Sequence, residues 1–322
     1  MTSVHITDLK AWCKIRFVSI TSNPLHYSYY LFINGEQAKD LAIPDGTTSI
    51  GDYAFTGIKI NSITIPNSVT NIGIQTFYKC SGLTSITIPN SVASIGTNAF
   101  YSCLDLTSVH ITDLNAWCNI KFANENCNPL CCANRLFING EEIKDLVIPN
   151  TVTKINSHAF YGFKNLTSVI ISNSVTSIGQ STFANCTGLT SVFIPNSVIN
   201  IGSSAFAGCS SLASILLPNS VTTIGNYTFA RCSNLSSVTI GNAINNIGDY
   251  AFSDCTTLTD VYCYVEKVPN TESNTFKNSN VKNATLHVPN TSVSRYQHAE
   301  RWKEFKTIVA LTDIDPKPIA GN

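Results

Sequence analysis

The sequence predicts a solenoid of about twelve stacked coils, mainly β, in which each coil gives one strand to a parallel sheet on the concave face. Three observations predict it. An Ala/Thr-Phe aromatic recurs at Phe55, Phe77, Phe100, Phe160, Phe183, Phe206, Phe229 and Phe252, with most intervals equal to 23 residues, one to 22 and one to 60. Inside each unit, apolar residues alternate at strand period two before a proline or polar stop. Two longer units, residues 4–55 and 109–160, match each other at an offset of 105.

One clean copy runs from Leu83 to Cys103. Leu83, Ile86 and Ile88 give an L-x-x-I-x-I pattern, with Ile86 and Ile88 on one strand face. Pro89 ends the strand because it cannot donate to a ladder. Val92 and Ile95 point back inside. Gly96 is expected to allow a turn that other residues reach only at cost. Ala99, Phe100 and Cys103 then fill the far side, on a short helical or 3₁₀ turn. A period of 23 falls in the leucine-rich-repeat range. One unit cannot bury its own apolar face, whereas stacked units share a continuous core.

The two long units carry V-H-I-T-D-L-x-A-W-C-x-I, then N-P-L, then L-F-I-N-G-E. Leu9, Trp12 and Ile15, like Leu114, Trp117 and Ile120, sit at helical spacing. Asn34-Gly35 and Asn139-Gly140 between apolar runs signal hairpins. Each insert, 7–40 and 112–145, therefore reads as a short helix plus a β-hairpin. The hairpin's second arm (Asp40 to Ile43, Asp145 to Ile148) is expected to become the next coil's strand. Strands ending from Ile6 to Val288 then make a sheet of roughly 55 Å at ~4.8 Å spacing.

The repeat region is expected to span 1–291. Over 292–311 the pattern breaks: Tyr296, Ala299, Trp302 and Phe305 sit three apart, which fits an amphipathic helix, and Thr307 to Leu311 add a strand. This suits a C-terminal cap over the last coil. Residues 312–322 read as a loose, flexible tail. At the other end Met1 occupies the leucine slot of a repeat already under way, so the chain reads as a fragment of something longer.

These residues resemble the BspA-like leucine-rich-repeat surface proteins of anaerobic bacteria. The motif L-T-S-I-x-I-P-x-S-V-x-x-I-G-x-x-A-F-x-x-C at 83–103, 189–209 and 212–232, the A-W-C and L-F-I-N-G-E inserts, and the ending W-K-E-F-K-T-I-V carry the resemblance. It implies a leucine-rich-repeat solenoid, a right-handed α/β superhelix. It also implies a secreted or cell-surface protein, an adhesin that binds host proteins, other bacteria or matrix components. The motif defines the scaffold, so no binding residue transfers from it.

Composition narrows the function. Lys plus Arg and Asp plus Glu are each 20, giving zero formal net charge. That argues against a nucleic-acid binder and against adsorption to anionic lipid. No apolar run approaches the ~18 residues of a membrane span, and MTSVHITDLK has no signal-peptide pattern. There is no H-E-x-x-H, G-x-S-x-G or phosphate loop, so no catalytic residue and no cofactor is expected. The six histidines are scattered, with His5 and His110 equivalent and expected on the exposed strand face.

Cys80, Cys103, Cys186, Cys209, Cys232 and Cys255 all lie three residues after the repeat Phe, a slot that Ile58 and Phe163 fill in other copies. A slot shared with Ile and Phe is apolar, and free Cys behaves as a small hydrophobe. A buried, reduced ladder is expected, because side chains ~4.8 Å apart exceed the ~3.8 Å Cβ separation of a disulfide. Cys127, Cys131 and Cys132 are the one tight cluster. Ser22, His26 and Tyr27 take their places in the first insert, and no fourth ligand is evident nearby, though Cys118 could approach. Metal binding is disfavoured, and a local disulfide is the stronger of the two readings.

The remaining candidate is a stripe. The outward residue of each strand gives His5, Ala42, Thr64, Thr87, His110, Val147, Ile170, Phe193, Leu216, Thr239, Tyr262 and His287. Val147, Ile170, Phe193 and Leu216 are apolar in consecutive coils, and Tyr262 follows two coils on. A contiguous exposed apolar patch marks an interaction site, with aromatics favoured as anchors. Strands prefer such residues anyway, so a ligand patch and simple strand propensity account for the stripe equally well. Self-association through it is a third reading, and a spacer with no ligand of its own is the alternative function.

Overall fold

The computed structural model describes residues 3–318; Met1 in its leucine slot and the tail residues 319–322 lie outside the described residues. The chain forms two compact units, Met1–Ile143 with His158–Phe163, and Lys144–Ser157 with Lys164–Asn322. Each unit is a stack of repeats joined by parallel ladders, the predicted fold class.

In the first unit, Ser85–Thr87, Ser108–Ile111 and Arg135–Ile138 are neighbours in one parallel ladder, with Thr87, His110 and Phe137 in register. Val4–Ile6 pairs with Leu31–Ile33, and Asp40–Ala42 with Ser62–Thr64. In the second unit, Asp145–Val147, Ser168–Ile170 and Ser191–Phe193 form one ladder. Ser214–Leu216, Ser237–Ile240, Asp260–Cys263, Thr285–Val288 and Thr307–Ala310 form another. Period-two alternation sets the faces: Ile86 and Ile88 are buried, while Thr87 between them is exposed.

The hairpins differ from the sequence reading. Their antiparallel arms are Leu31–Ile33 with Glu36–Gln37, and Arg135–Ile138 with Glu141–Ile143. It is the first arm, not the second, that extends the preceding parallel ladder. Asp40–Ala42 and Asp145–Val147 are separate strands that begin afterwards. A two-residue Asn-Gly loop sets the register tightly, so the second arm is used up within the hairpin.

A second parallel ladder, which sequence reading did not resolve, runs through the V-x-x-I-G segment. It comprises Ser49–Ile50, Asn71–Ile72, Ser94–Ile95 and Lys121–Phe122 in the first unit. Lys154–Ile155 to Asn270–Thr271 repeat it in the second. Two-residue strands are too short for alternation to reveal them.

Gly96 also has a different role from the one expected. It is not among the residues with positive φ. A Cβ there would lie 2.6 Å from the Gly73 carbonyl carbon and the Ile74 nitrogen. The glycine permits close approach between successive coils. The left-handed conformations fall instead two residues before and two after the repeat Phe. Asn98 (φ 56°) and Ser102 (φ 62°) flank Phe100 in this way. These paired left-handed residues bend the chain through consecutive turns, so the expected helical or 3₁₀ segment is absent from 96–102. The phenyl rings stack from coil to coil, Phe55 on Phe77 on Phe100 at 5.9 and 5.3 Å between centroids. Phe183, Phe206, Phe229 and Phe252 do the same in the second unit.

The insert helices are Leu9–Lys14 and Leu114–Asn119, capped by the side chains of Asp8 and Asp113. Their tryptophans anchor them: the Trp12 indole donates to Ala54 O at 2.9 Å, and that of Trp117 to Ala159 O at 2.8 Å. The N-P-L asparagines act beside them. The fully buried Asn128 side chain donates to the carbonyls of His158 and Ala159 and accepts from the Leu130 N–H. Near the C-terminus the helix is Val293–His298, followed by a 3₁₀ turn at Trp302–Glu304. The chain turns extended at Ala299 and takes φ 66° at Arg301, which splits the single helix that the three-residue spacing predicts. Tyr296, Trp302 and Phe305 are nonetheless all buried.

Candidate functional site

The outward column of the second unit brings the stripe residues together in part. Strand register sets Val147 beside Ile170 and Ile170 beside Phe193. Their exposures are 60%, 50% and 46%, although they flank fully buried partners at 146, 148, 169, 171 and 194. Leu216 stands on the next strand, in the following sheet, and is half-buried. Thr239, in register between Leu216 and Tyr262, is only 3% exposed. The apolar surface is therefore continuous over Val147, Ile170 and Phe193, and Tyr262 stands apart from it.

Tyr262 has its own surroundings. Its ring stacks on His287 at 4.4 Å. His287 Nε2 lies 3.2 Å from Asp260 Oδ1, and Nδ1 lies 3.9 Å from Asp315 Oδ2. The Tyr264 hydroxyl donates to Pro316 O at 3.1 Å. Residues 315–316 thus lie against this end of the column. Partial burial, then the Asp260 and Asp315 carboxylates, push the Tyr262 hydroxyl pKa upward.

In the first unit the column contains two aromatics that sequence reading missed. Phe32 stands beside His5 and Phe137 beside His110, each pair stacked at 4.6 Å. The signal was present in L-F-I, where Phe alternates with two apolar neighbours. It was masked by reading the segment only as a hairpin arm. Arg135 completes the second cluster, with its guanidinium 4.9 Å from the Phe137 centroid and 2.7 Å from Glu142.

None of the twelve cysteines forms a disulfide. The slot thiols are buried, but they are more than apolar filler. Cys80 donates to Phe55 O at 3.1 Å, Cys103 to Phe77 O at 3.0 Å, and Cys209, Cys232 and Cys255 likewise to Phe183, Phe206 and Phe229. Each thiol answers a carbonyl of the coil before it, which an Ile or Phe in that slot cannot do. Burial pushes the Cys232 thiol up to about 12. In the tight cluster, Cys132 donates to Phe100 O at 3.3 Å and so continues the ladder through the insert. Its sulfur lies 3.6 Å from that of Cys131, while Cys127 donates to Asn124 O. Among the described residues no group of three His, Cys, Asp or Glu is arranged to hold a metal. No described helix is long and apolar enough to cross a membrane.

Comparison with known proteins places the chain. A model of the BspA type leucine rich repeat region matches residues 10–128, 132–259 and 177–302. Among solved structures, a leucine rich cell surface protein from Faecalibacterium prausnitzii is similar at 29% identity and TM-score 0.50. The match covers 69% of this chain and spans 59% of that one. A leucine-rich repeat protein from Eubacterium ventriosum is similar in fold at 20% identity and TM-score 0.56, over 86% of this chain and 88% of that one. So is the pneumococcal vaccine antigen PcpA, at 18% identity and TM-score 0.51, over 85% and 79%. No curated protein matches the chain. With the family motif recognised across most of its length and the stacked parallel ladders that the motif requires, the chain belongs to the BspA-type leucine-rich-repeat family.

Proposed function

We propose that this chain is a non-catalytic protein-binding module of a bacterial cell-surface or secreted adhesin. In this reading its second unit docks a host or matrix protein on the outward strand column. The observation that carries the proposal is the exposed run Val147, Ile170 and Phe193, held side by side on three paired strands. Such a run offers a rigid apolar platform with an aromatic anchor. Leu216 extends it, and Tyr262 makes a separate contact further along the same column. The similarity to a cell surface protein from Faecalibacterium prausnitzii supports the location.

The test is surface plasmon resonance of the chain against immobilised collagen, laminin and fibronectin. At least one should bind, and Phe193→Ser with Ile170→Ser should weaken it by about tenfold or more. Binding that is unchanged in the double variant would remove the stripe from the site. No binding to any matrix protein would favour a spacer that displays other domains.

A further inference from the structure

The first unit holds a cavity of about 540 Å³ that no part of the preceding reading uses. Two lysines, Lys59 and Lys79, and two tyrosines, Tyr29 and Tyr78, stand in its wall. Both lysines are exposed, and neither forms an ion pair among the described residues. Each ammonium lies instead near a tyrosine ring, Lys79 at 5.2 Å from the Tyr78 centroid and Lys59 at 5.8 Å from that of Tyr30. A lysine ammonium has three donors and no acceptor capacity, so a ring face leaves it free to bind an anion. Tyr78 in turn stacks on Tyr101 at 5.9 Å, and Tyr29, Tyr30 and Tyr101 are exposed large aromatics. Gly57 borders the cavity; a Cβ there would come within 3.7 Å of the Tyr29 ring.

A second hollow of about 500 Å³ shares Lys59 and adds Lys39 and Asn61. One carboxylate, Asp105, stands there, and its Oδ2 accepts the Gly82 N–H at 2.9 Å. Three lysines thus gather around two adjoining hollows in a chain that is only 12% charged.

We propose that this place binds an acidic saccharide, a pyranose or short oligosaccharide carrying a carboxylate or sulfate. Tyrosine rings offer flat apolar faces to the C–H faces of sugar rings, with a polar tip for their hydroxyls. Lysines take the anionic substituent by charge-assisted hydrogen bonds. The volume lies in the ordinary range for a small-ligand pocket. A peptide added as a further strand fits less well, because that mode needs a free backbone edge. Here that edge is spent: the N–H groups of Gly57, Lys59 and Lys79 already donate to Tyr78 O, Tyr29 O and Tyr101 O. Recognition falls to ring faces and ammonium groups.

Isothermal titration of the chain tests this with 3′-sialyllactose and a chondroitin sulfate tetrasaccharide, against lactose and a tetraglutamate peptide. At least one acidic saccharide should bind, several-fold more weakly at 300 mM than at 50 mM NaCl because the contact is electrostatic. Carboxylate or sulfate as the preferred group is read from which of the two binds. Lys59→Gln and Lys79→Gln should each weaken it by about tenfold with an unchanged melting temperature, since both side chains are exposed and unpaired with acid. Equal binding of lactose, equal or tighter binding of tetraglutamate, or unchanged affinity in the Lys59→Gln/Lys79→Gln double variant would overturn the proposal. So would no heat from either acidic saccharide at millimolar concentration.

Discussion

Replacing Gly96 separates two explanations of why a glycine recurs in this repeat. Its Cβ would stand 2.6 Å from Gly73 C and Ile74 N, against 3.4 Å for an ordinary contact, so the coils must part by about 0.8 Å. The Gly96 N–H now donates to Ile72 O at 2.8 Å. Opened by that amount, the pair would stand near 3.6 Å, which is no longer a hydrogen bond. Losing it costs about 0.5–1.5 kcal/mol, and overpacking adds about 1–3 kcal/mol, so Gly96→Ala should destabilise by about 1.5–4.5 kcal/mol. Gly96→Asn, which is larger, should be worse. If the glycine instead served a left-handed backbone, alanine would cost about 1–2 kcal/mol and asparagine would recover most of it. Urea unfolding followed by circular dichroism reads both variants. The close-approach argument fails if Gly96→Asn is more stable than Gly96→Ala, or if both stay within about 1 kcal/mol of the parent protein.

Three further outcomes are expected. Ile194, 1% exposed, should lose about 2–5 kcal/mol on truncation to Ala, whereas Phe193, 46% exposed, should lose about 1.5–2.5 kcal/mol, roughly half the cost of a buried Phe; melting curves showing the reverse order would mean the strand faces are swapped. Native thiol labelling should leave Cys186, Cys209 and Cys232 unreacted until denaturant is added, since all three are 0% exposed. Above about pH 7.5, where unfolded thiols begin to ionise, stability should fall, because the unfolded chain releases protons that the buried thiols of the folded one keep. For Cys232 the loss should approach about 1.4 kcal/mol per pH unit between about pH 9.5 and 11, below its folded value of about 12, and Cys232→Ala should flatten the slope in that window by about that amount.

The sequence by itself determined the repeat, the strand faces and the slots. Ile86, Ile88, Phe100 and Cys103 are buried because period two and the 23-residue period leave them no other face. The helix and hairpin of each insert were legible because the spacing of Leu9, Trp12 and Ile15 and the Asn34-Gly35 turn act over a few residues of chain. The exposed run Val147, Ile170 and Phe193 was legible for the same reason, since alternation fixes which side chain faces water. Tertiary structure decided whatever depends on the neighbouring coil. The short second ladder exists because Ile72 and Ile95 meet at coil spacing, not because two residues form a strand alone. Gly96 yields to the Gly73 backbone, Cys80 finds the Phe55 carbonyl, and Thr239 disappears between its neighbours. The cavity of Lys59 and Lys79 gathers residues from the first insert and two further coils, whose side chains meet only when those coils stack. A linear sequence records each coil's own preferences, but contact between coils is a property of the stack.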